Sequence, residues 1–119
     1  MENRHISEEC KRHFKAIRDT QEILSGKWKM LIMAMLGTGK KRYLELQRLL
    51  EGIGPKMLSK ELQDLEINGL ISRTVMQTKP VTVEYALTDY GRSLKPIMDD
   101  MATWGKSHRD RVIKDLTNQ

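Results

Sequence analysis

Residues 42–68 read RYLELQRLLEGIGPKMLSKELQDLEIN, and this stretch decides the fold. The spacing of its apolar residues predicts a first helix from Arg42 to Leu50 and a second from Pro55 to about Asn68. Between the two helices, GIGP forms a tight break, and proline suits the first position of a helix. Two short helices joined by a glycine-containing turn are typical of a helix-turn-helix. The leucines predicted to face inward from the first helix are Leu46, Leu49 and Leu50.

The second helix has two chemically distinct faces. At about 100° per residue its leucines fall on one side of the helix, and four polar residues fall on the other side. Lysine, serine and glutamine can all contact phosphates or base edges, so the polar face predicts a helix that reads the major groove. An ordinary amphipathic surface helix is the alternative interpretation. The leucines are Leu58, Leu62 and Leu65, and the polar residues are Lys56, Ser59, Lys60 and Gln63.

A β-hairpin is predicted after the two helices, with strands over Ile71–Thr78 and Val81–Leu87. Apolar and polar residues alternate in the second strand, which is typical of a half-buried strand. The hairpin completes a winged helix-turn-helix, an α+β fold that is mainly helical, with the wing at about residues 71–87. Lys79 at the wing tip is a candidate phosphate contact, although a single lysine at such a tip is ordinarily just solvated.

The positive charge of the chain is concentrated around the helix-turn-helix. The chain has 119 residues and a formal net charge of +5. Residues 26–60 hold eight Lys and Arg residues and two Glu residues, a net charge of +6, whereas the remainder is close to neutral. A localised basic segment is the electrostatic signature of a nucleic-acid-binding protein. A solvated basic face without a partner is the alternative interpretation.

The flanking segments predict three further helices. Ser7 is a candidate N-cap for a helix over about 8–24, Ser25 could cap a largely apolar helix from Gly26 to about Leu36, and Thr88 could cap a C-terminal helix over about 88–116. The C-terminal helix carries a stripe of apolar residues at helical spacing. This stripe is too apolar for a lone surface helix, so the helix needs either the N-terminal helix or a second subunit as partner. The candidate dimer-interface residues are Phe14, Ile17, Leu94, Ile97, Met98, Met101 and Trp104.

Composition and motifs argue against several other classes of protein. The length suits a single domain over residues 1–119. The longest apolar run, residues 30–36, is too short for a membrane span, which needs about 20 residues. We find no secretory signal, and one cysteine cannot form a disulfide within the chain. We also find no nucleophile motif, phosphate loop or metal-ligand spacing. We therefore expect a cytoplasmic protein that is not an enzyme and has no metal site or cofactor.

Four segments together resemble the HxlR-type winged-helix transcriptional regulators of bacteria, which are relatives of the MarR group. The resemblance covers most of residues 20–108 and implies a dimeric DNA-binding regulator whose N- and C-terminal helices form the dimer. The matching segments are GKWKMLIMAML (26–36), RYLELQRLLEGIGPKMLSKELQDLEINGLISR (42–73), VEYALTDYGRSLKPIM (83–98) and WGKSH (104–108).

The sequence departs from the family pattern at three positions. Gly54 stands where the family usually has a serine as N-cap, and Tyr43 replaces the more usual phenylalanine. Cys10 lies further upstream of the GKW motif than the N-terminal cysteine of family members. Neighbouring cations and a helix N-terminus favour the reactive thiolate, so Cys10 is a candidate redox sensor. The alternative, a small core or interface residue, is favoured by that displacement.

The sequence thus predicts a homodimeric, sequence-specific regulator that binds double-stranded DNA, with a small-molecule or oxidant effector left open. Arg42 can either pair with Glu45 or contact phosphate. A protein-interaction winged helix that docks an acidic partner is the rival interpretation, and thiol sensing through Cys10 is a second rival. The predicted DNA-binding residues are Lys40, Lys41, Arg42, Pro55, Lys56, Ser59, Lys60, Gln63 and Lys79.

Overall fold

The computed structural model describes residues 5–118 and contains six helices and three strands over that range. The fold is the predicted one, mainly helical with a small sheet. The helices are α1 (Glu8–Ile23), α2 (Lys29–Leu36), α3 (Tyr43–Leu49), α4 (Pro55–Ile67), α5 (Asp89–Arg92) and α6 (Lys95–Thr117). The strands are β1 (Lys41–Arg42), β2 (Ile71–Met76) and β3 (Thr82–Leu87).

The core lies where α2, α3 and α4 meet the base of the wing. Leucines at helical spacing on α3 and α4 close against α2 and the first residues of β2, as the apolar periodicity predicts. The fully buried side chains are Ile32, Met33, Leu46, Leu50, Leu58, Leu62, Leu65 and Ile71.

The helix-turn-helix is formed by α3, the turn over residues 50–54, and α4. Gly52 takes a φ of +91°, a left-handed conformation that glycine adopts without strain. Gly54 is the N-cap of α4 and has no side chain to accept from the first free N–H groups, while Pro55 occupies the first turn. The start of α4 is therefore preset by Pro55 rather than by a capping side chain.

The wing belongs to a three-stranded antiparallel sheet in the order β1-β3-β2. β2 and β3 pair in register from Ile71 with Leu87 to Met76 with Thr82. β1 pairs with the other edge of β3, with Lys41 opposite Tyr85. The sheet thus ties the residues before α3 directly to the wing.

Several sequence-based boundaries were wrong. α2 begins at Lys29 with Trp28 as N-cap, not at Gly26 after a Ser25 cap. The helix predicted over 88–116 is divided: Thr88 caps the short α5, and α6 starts afresh at Lys95, next to Pro96. From Lys95 to Thr117, α6 is continuous, as predicted for that part of the chain. The strand ends at residues 77–78 and at residue 81 lie in the loop rather than in the sheet.

Candidate nucleic-acid interface

The polar and apolar faces of α4 are separated as the sequence predicts. Leu58, Leu62 and Leu65 are buried in the core. The side chains on the opposite face are exposed, and with them the N-terminal turn of the helix. A helix with this arrangement can enter the major groove with its first turns leading. The exposed candidates are Pro55, Lys56, Ser59, Lys60 and Gln63.

Tyr43, in the first turn of α3, is hydrogen-bonded to the start of α4. Its hydroxyl donates to the Pro55 carbonyl at 2.8 Å and lies 3.1 Å from the Ser59 Oγ. Its ring is partly buried and packs against the core. One side chain thus connects the two helices and contacts a residue that the sequence assigns to base reading.

Lys60 is exposed but paired with two carboxylates of its own helix. Its Nζ lies 3.2 Å from Asp64 Oδ2 and 3.5 Å from Glu61 Oε1. The hydrogen bond to Asp64, followed by the negative charges of Asp64 and Glu61, raises the pKa of Lys60 above its ordinary value. Hydrogen bonds from Lys60 and Lys29 lower the pKa of Asp64. Any phosphate that recruits Lys60 must therefore compete with Asp64.

Lys29 contributes to the helix contacts rather than to a basic surface. Its side chain and that of Glu61 are each only 6% exposed, and Lys29 Nζ lies 3.0 Å from Glu61 Oε2. The same ammonium lies 3.3 Å from Asp64 Oδ2 and donates weakly to the Ser25 carbonyl at 3.5 Å. Lys29 was counted in the basic segment, but its charge is neutralised by the ion pairs that join α2 to α4 and does not add to the basic surface.

Glu61 and Asp64 were not among the sequence-predicted functional residues. On the helical wheel Glu61 lies about 40° from Leu65, at the border of the apolar face. An acidic side chain at that border needs a buried cation, because burying an unpaired carboxylate is costly. The position of Glu61 on the helical wheel could therefore have indicated a buried ion pair, but nothing in the local sequence identified Lys29 as the partner.

The residues before α3 form a second group of basic candidates. Lys40 Nζ lies 3.4 Å from Glu84 Oε1 of β3, and Lys41 Nζ donates to the Gly39 carbonyl at 3.0 Å. Arg42 is exposed, and its backbone N–H donates to Glu45 Oε1 at 3.1 Å, so Glu45 caps α3. The predicted side-chain pair between Arg42 and Glu45 is not among the ion pairs of residues 5–118.

A groove of about 520 Å³ separates the start of α3 from β3. Arg42 and Arg48 line its helical side, and Val81 and Val83 line its strand side. Lys79 lies beyond this groove at the tip of the wing and is exposed. The tip is fastened by Thr78, whose Oγ1 donates to the Pro80 carbonyl and contacts Thr82 Oγ1.

Comparison with known proteins identifies the family. The family model of the HxlR-like helix-turn-helix matches residues 23–113. The chain belongs to the HxlR-like helix-turn-helix family. It is 44% identical over 107 residues to the HTH-type transcriptional regulator YtcD of Bacillus subtilis (strain 168), a match that covers 90% of this chain and 85% of YtcD.

Solved structures agree with the HxlR-like assignment. The crystal structure of YtcD superposes with a TM-score of 0.76 at 45% identity, covering 79% of this chain and 96% of that one. The redox regulator HypR in its reduced form gives a TM-score of 0.78 at 37% identity, covering 83% of this chain and 98% of that one. This chain is therefore an HxlR-type, MarR-like helix-turn-helix protein of transcription regulation.

Most of the side chains predicted to lie at the dimer interface are exposed in the single chain. Phe14 and Ile17 on α1 are about half exposed, and Trp104 on α6 is 68% exposed. Ile97 and Met101 are also exposed. Two residues of the predicted set differ, because Leu94 and Met98 are partly buried against the core of their own chain.

Cys10 lies in the first turn of α1 and is exposed as a free thiol. Its backbone N–H donates to the Oγ of Ser7, which is the N-cap of α1 as predicted. Of the alternative interpretation of Cys10 as a small core or interface residue, the core part is wrong, because α1 has no buried residue over Glu8–Ile23, whereas a place at an interface stays a prediction.

Two further observations concern the described part of the chain. None of its helices is long and apolar enough to cross a bilayer. Over residues 5–118, His, Cys, Asp and Glu side chains form no group of three or more that could hold a metal ion.

Proposed function

We propose that this chain is a homodimeric, sequence-specific DNA-binding transcriptional regulator that acts in the cytoplasm on a pseudo-palindromic operator. The observation that carries the proposal is the exposed polar face of α4, opposite three buried leucines. Lysine, serine and glutamine on such a face match the hydrogen-bonding groups of the major groove. The relatives bear names of transcriptional regulators, which adds support.

The two groups of polar residues have different roles in this proposal. Lys56, Ser59, Lys60 and Gln63 on α4 read base edges or flank them. The residues outside α4 hold the phosphates on either side, because β1 places Lys41 and Arg42 beside the wing, whose tip carries Lys79. Phosphate contacts position the protein and base contacts specify the sequence. The phosphate-contact candidates are Lys40, Lys41, Arg42 and Lys79.

The proposed dimer is supported by the two terminal helices. Neither α1 nor α6 contains a buried residue, although both carry large apolar side chains. The Cα radius of gyration is 18.6 Å, whereas a compact domain of this length has about 13–14 Å. A second copy that covers these faces would bring two α4 helices onto half-sites about 34 Å apart, or a multiple of that distance.

A gel shift at low salt with the protein's own upstream region and with a random duplex tests the proposal. We expect a complex with the specific duplex that survives an excess of the random one. The rival function, a winged helix that docks an acidic protein, predicts no shift on any duplex. The absence of any complex at low salt would therefore overturn DNA binding.

A second candidate function, thiol-based sensing through Cys10, is favoured by the exposure of that thiol. A similar structure is that of a protein named a redox regulator. Diamide should then produce a dimer on non-reducing gels and change DNA affinity. The variant Cys10→Ser should abolish both effects. If diamide has no Cys10-dependent effect, the sensing function is refuted while DNA binding stands.

A further inference from the structure

The hydroxyl of Tyr43 lies at the point where α3 meets the first turns of α4. It is within hydrogen-bond distance of two oxygens, the Pro55 carbonyl at 2.8 Å and the Ser59 Oγ at 3.1 Å. Pro55 begins α4, and Ser59 lies one turn later on the exposed polar face. Tyr43 thus contacts a proposed base-reading residue from behind, without itself belonging to the polar face of α4.

The direction of the two hydrogen bonds follows from the number of protons available. A carbonyl oxygen can only accept, so the single phenolic proton of Tyr43 is committed to Pro55. The contact between the two hydroxyls then requires the proton of Ser59, which Ser59 Oγ donates to the Tyr43 oxygen. The lone pairs of Ser59 remain for the DNA, and its only proton is already used.

We propose that Tyr43 is a specificity-determining positioning residue that makes Ser59 an obligate hydrogen-bond acceptor toward the DNA. In the major groove, adenine N6 and cytosine N4 are donors, whereas guanine O6 and N7 and thymine O4 are acceptors. Ser59 then selects a base that presents an amino group at its position in each half-site. This inference rests on the proposed DNA-binding function.

The pairing with Tyr43 matters because a free serine hydroxyl does not discriminate in this way. A serine hydroxyl can rotate to donate or to accept, so by itself it tolerates either kind of base edge. Removal of the Tyr43 hydroxyl returns that freedom to Ser59. Removal of the Ser59 hydroxyl eliminates the contact altogether, so the loss of both hydroxyls should add nothing to the loss of Ser59.

The experiment selects binding sites from a randomised duplex library with the full-length protein. It compares the wild type with Tyr43→Phe, Ser59→Ala and the double variant. We expect the wild type to favour adenine or cytosine at one position of each half-site by roughly 3- to 10-fold over guanine or thymine. Tyr43→Phe should reduce that preference to about 2-fold or less while leaving the other positions unchanged.

The double variant and a control separate this role from a merely structural one. The double variant should have the same site preference as Ser59→Ala. Tyr90→Phe removes the hydroxyl of an exposed tyrosine that is not part of the candidate nucleic-acid interface, so this control should leave the selected DNA site unaltered. A merely structural Tyr43 would weaken binding to all sequences equally and change no base preference.

Three results would overturn the inference. The first is an unchanged site for Tyr43→Phe, and the second is a preference of the wild type for guanine or thymine at the position that depends on Ser59. The third is a change in base preference when Tyr43→Phe is added to Ser59→Ala. If the wild type selects no sequence, the proposed function fails and the inference fails with it, whereas selection with any of these three results refutes the inference alone.

Discussion

Replacing Lys29 by methionine removes the buried cation that joins α2 to α4. The methionine side chain is of similar length and is apolar, so it fills most of the same space and leaves little cavity. What is lost is the pairing of the ammonium with Glu61 at 3.0 Å and with Asp64 at 3.3 Å. The substitution therefore isolates the electrostatic contribution of Lys29.

The magnitude follows from what remains around Glu61. Breaking a buried ion pair by removing one partner costs about 3–5 kcal/mol, because it leaves an uncompensated charge. Glu61 is 6% exposed, but it keeps the exposed Lys60 at 3.5 Å. An ion pair with an exposed lysine contributes about 0–1 kcal/mol. We therefore expect Lys29→Met to lower the free energy of unfolding by about 3 kcal/mol, at the lower end of the range.

Urea denaturation followed by circular dichroism measures this change. The protein concentration must be the same for all variants, because the stability of an oligomer depends on it. Lys27→Met is the matched control, since Lys27 is exposed and stacks over the Trp28 ring at 4.7 Å. An exposed cation–π contact is worth about 0.5–1 kcal/mol, so the control should lose no more than that.

The double variant Lys29→Met, Glu61→Met provides the decisive comparison. Apolar replacement of a whole buried ion pair is often neutral or stabilising, so the double variant should recover most of the stability lost by Lys29→Met. A loss below about 1 kcal/mol for Lys29→Met would refute the reasoning, because surface pairs cost that little. A double variant no more stable than Lys29→Met would refute it as well.

Three further predictions concern base reading, acid stability and assembly. Gln63→Ala should relax base preference, whereas Lys79→Ala should weaken binding evenly and reduce the salt slope by about 1; equal losses on specific and random duplexes would contradict this division. The pKa of Asp64 is lower in the folded state than its ordinary value of 3.8, so ionised Asp64 stabilises the fold at pH values above 3.8. This stabilisation is lost as the pH falls through the folded-state pKa, so the urea midpoints of wild type and Asp64→Asn should converge below that pKa. Met101→Glu should produce monomers in sedimentation equilibrium, whereas Thr103→Glu, about 200° away on α6, should remain dimeric if the proposed interface is right.

The parts of the fold that were predictable have a strong local period. The leucines of α4 and the alternation of Val83, Tyr85 and Leu87 fixed which faces turn inward, and the structure buries Tyr85 and Leu87. In α2 nearly every residue is apolar, so the periodicity marked no face, and the sequence did not show that Leu31 is exposed whereas Ile32 is buried. The periodicity of α3 was likewise too short to exclude Leu49, which is also exposed.

The features that were missed depend on contacts between distant parts of the chain. β1 has two residues and exists only because it pairs with β3, so no run of β-forming residues announced it. The burial of Lys29 depends on Glu61, which is 32 residues away along the chain. Residue type alone argued for an exposed lysine, since lysine is almost never buried unless it is paired.

The pairing of the cations changes what the basic segment can do. Of its lysines, Lys29 is buried, Lys40 is paired with Glu84, and Lys60 is paired with Asp64. Non-specific affinity for DNA grows with the number of phosphates neutralised. A lysine that must leave a carboxylate gains less from an arbitrary phosphate than an unpaired lysine would. In the proposed DNA complex, local acidic partners would therefore limit binding to random DNA, and a larger share of the affinity would come from the base contacts proposed for α4.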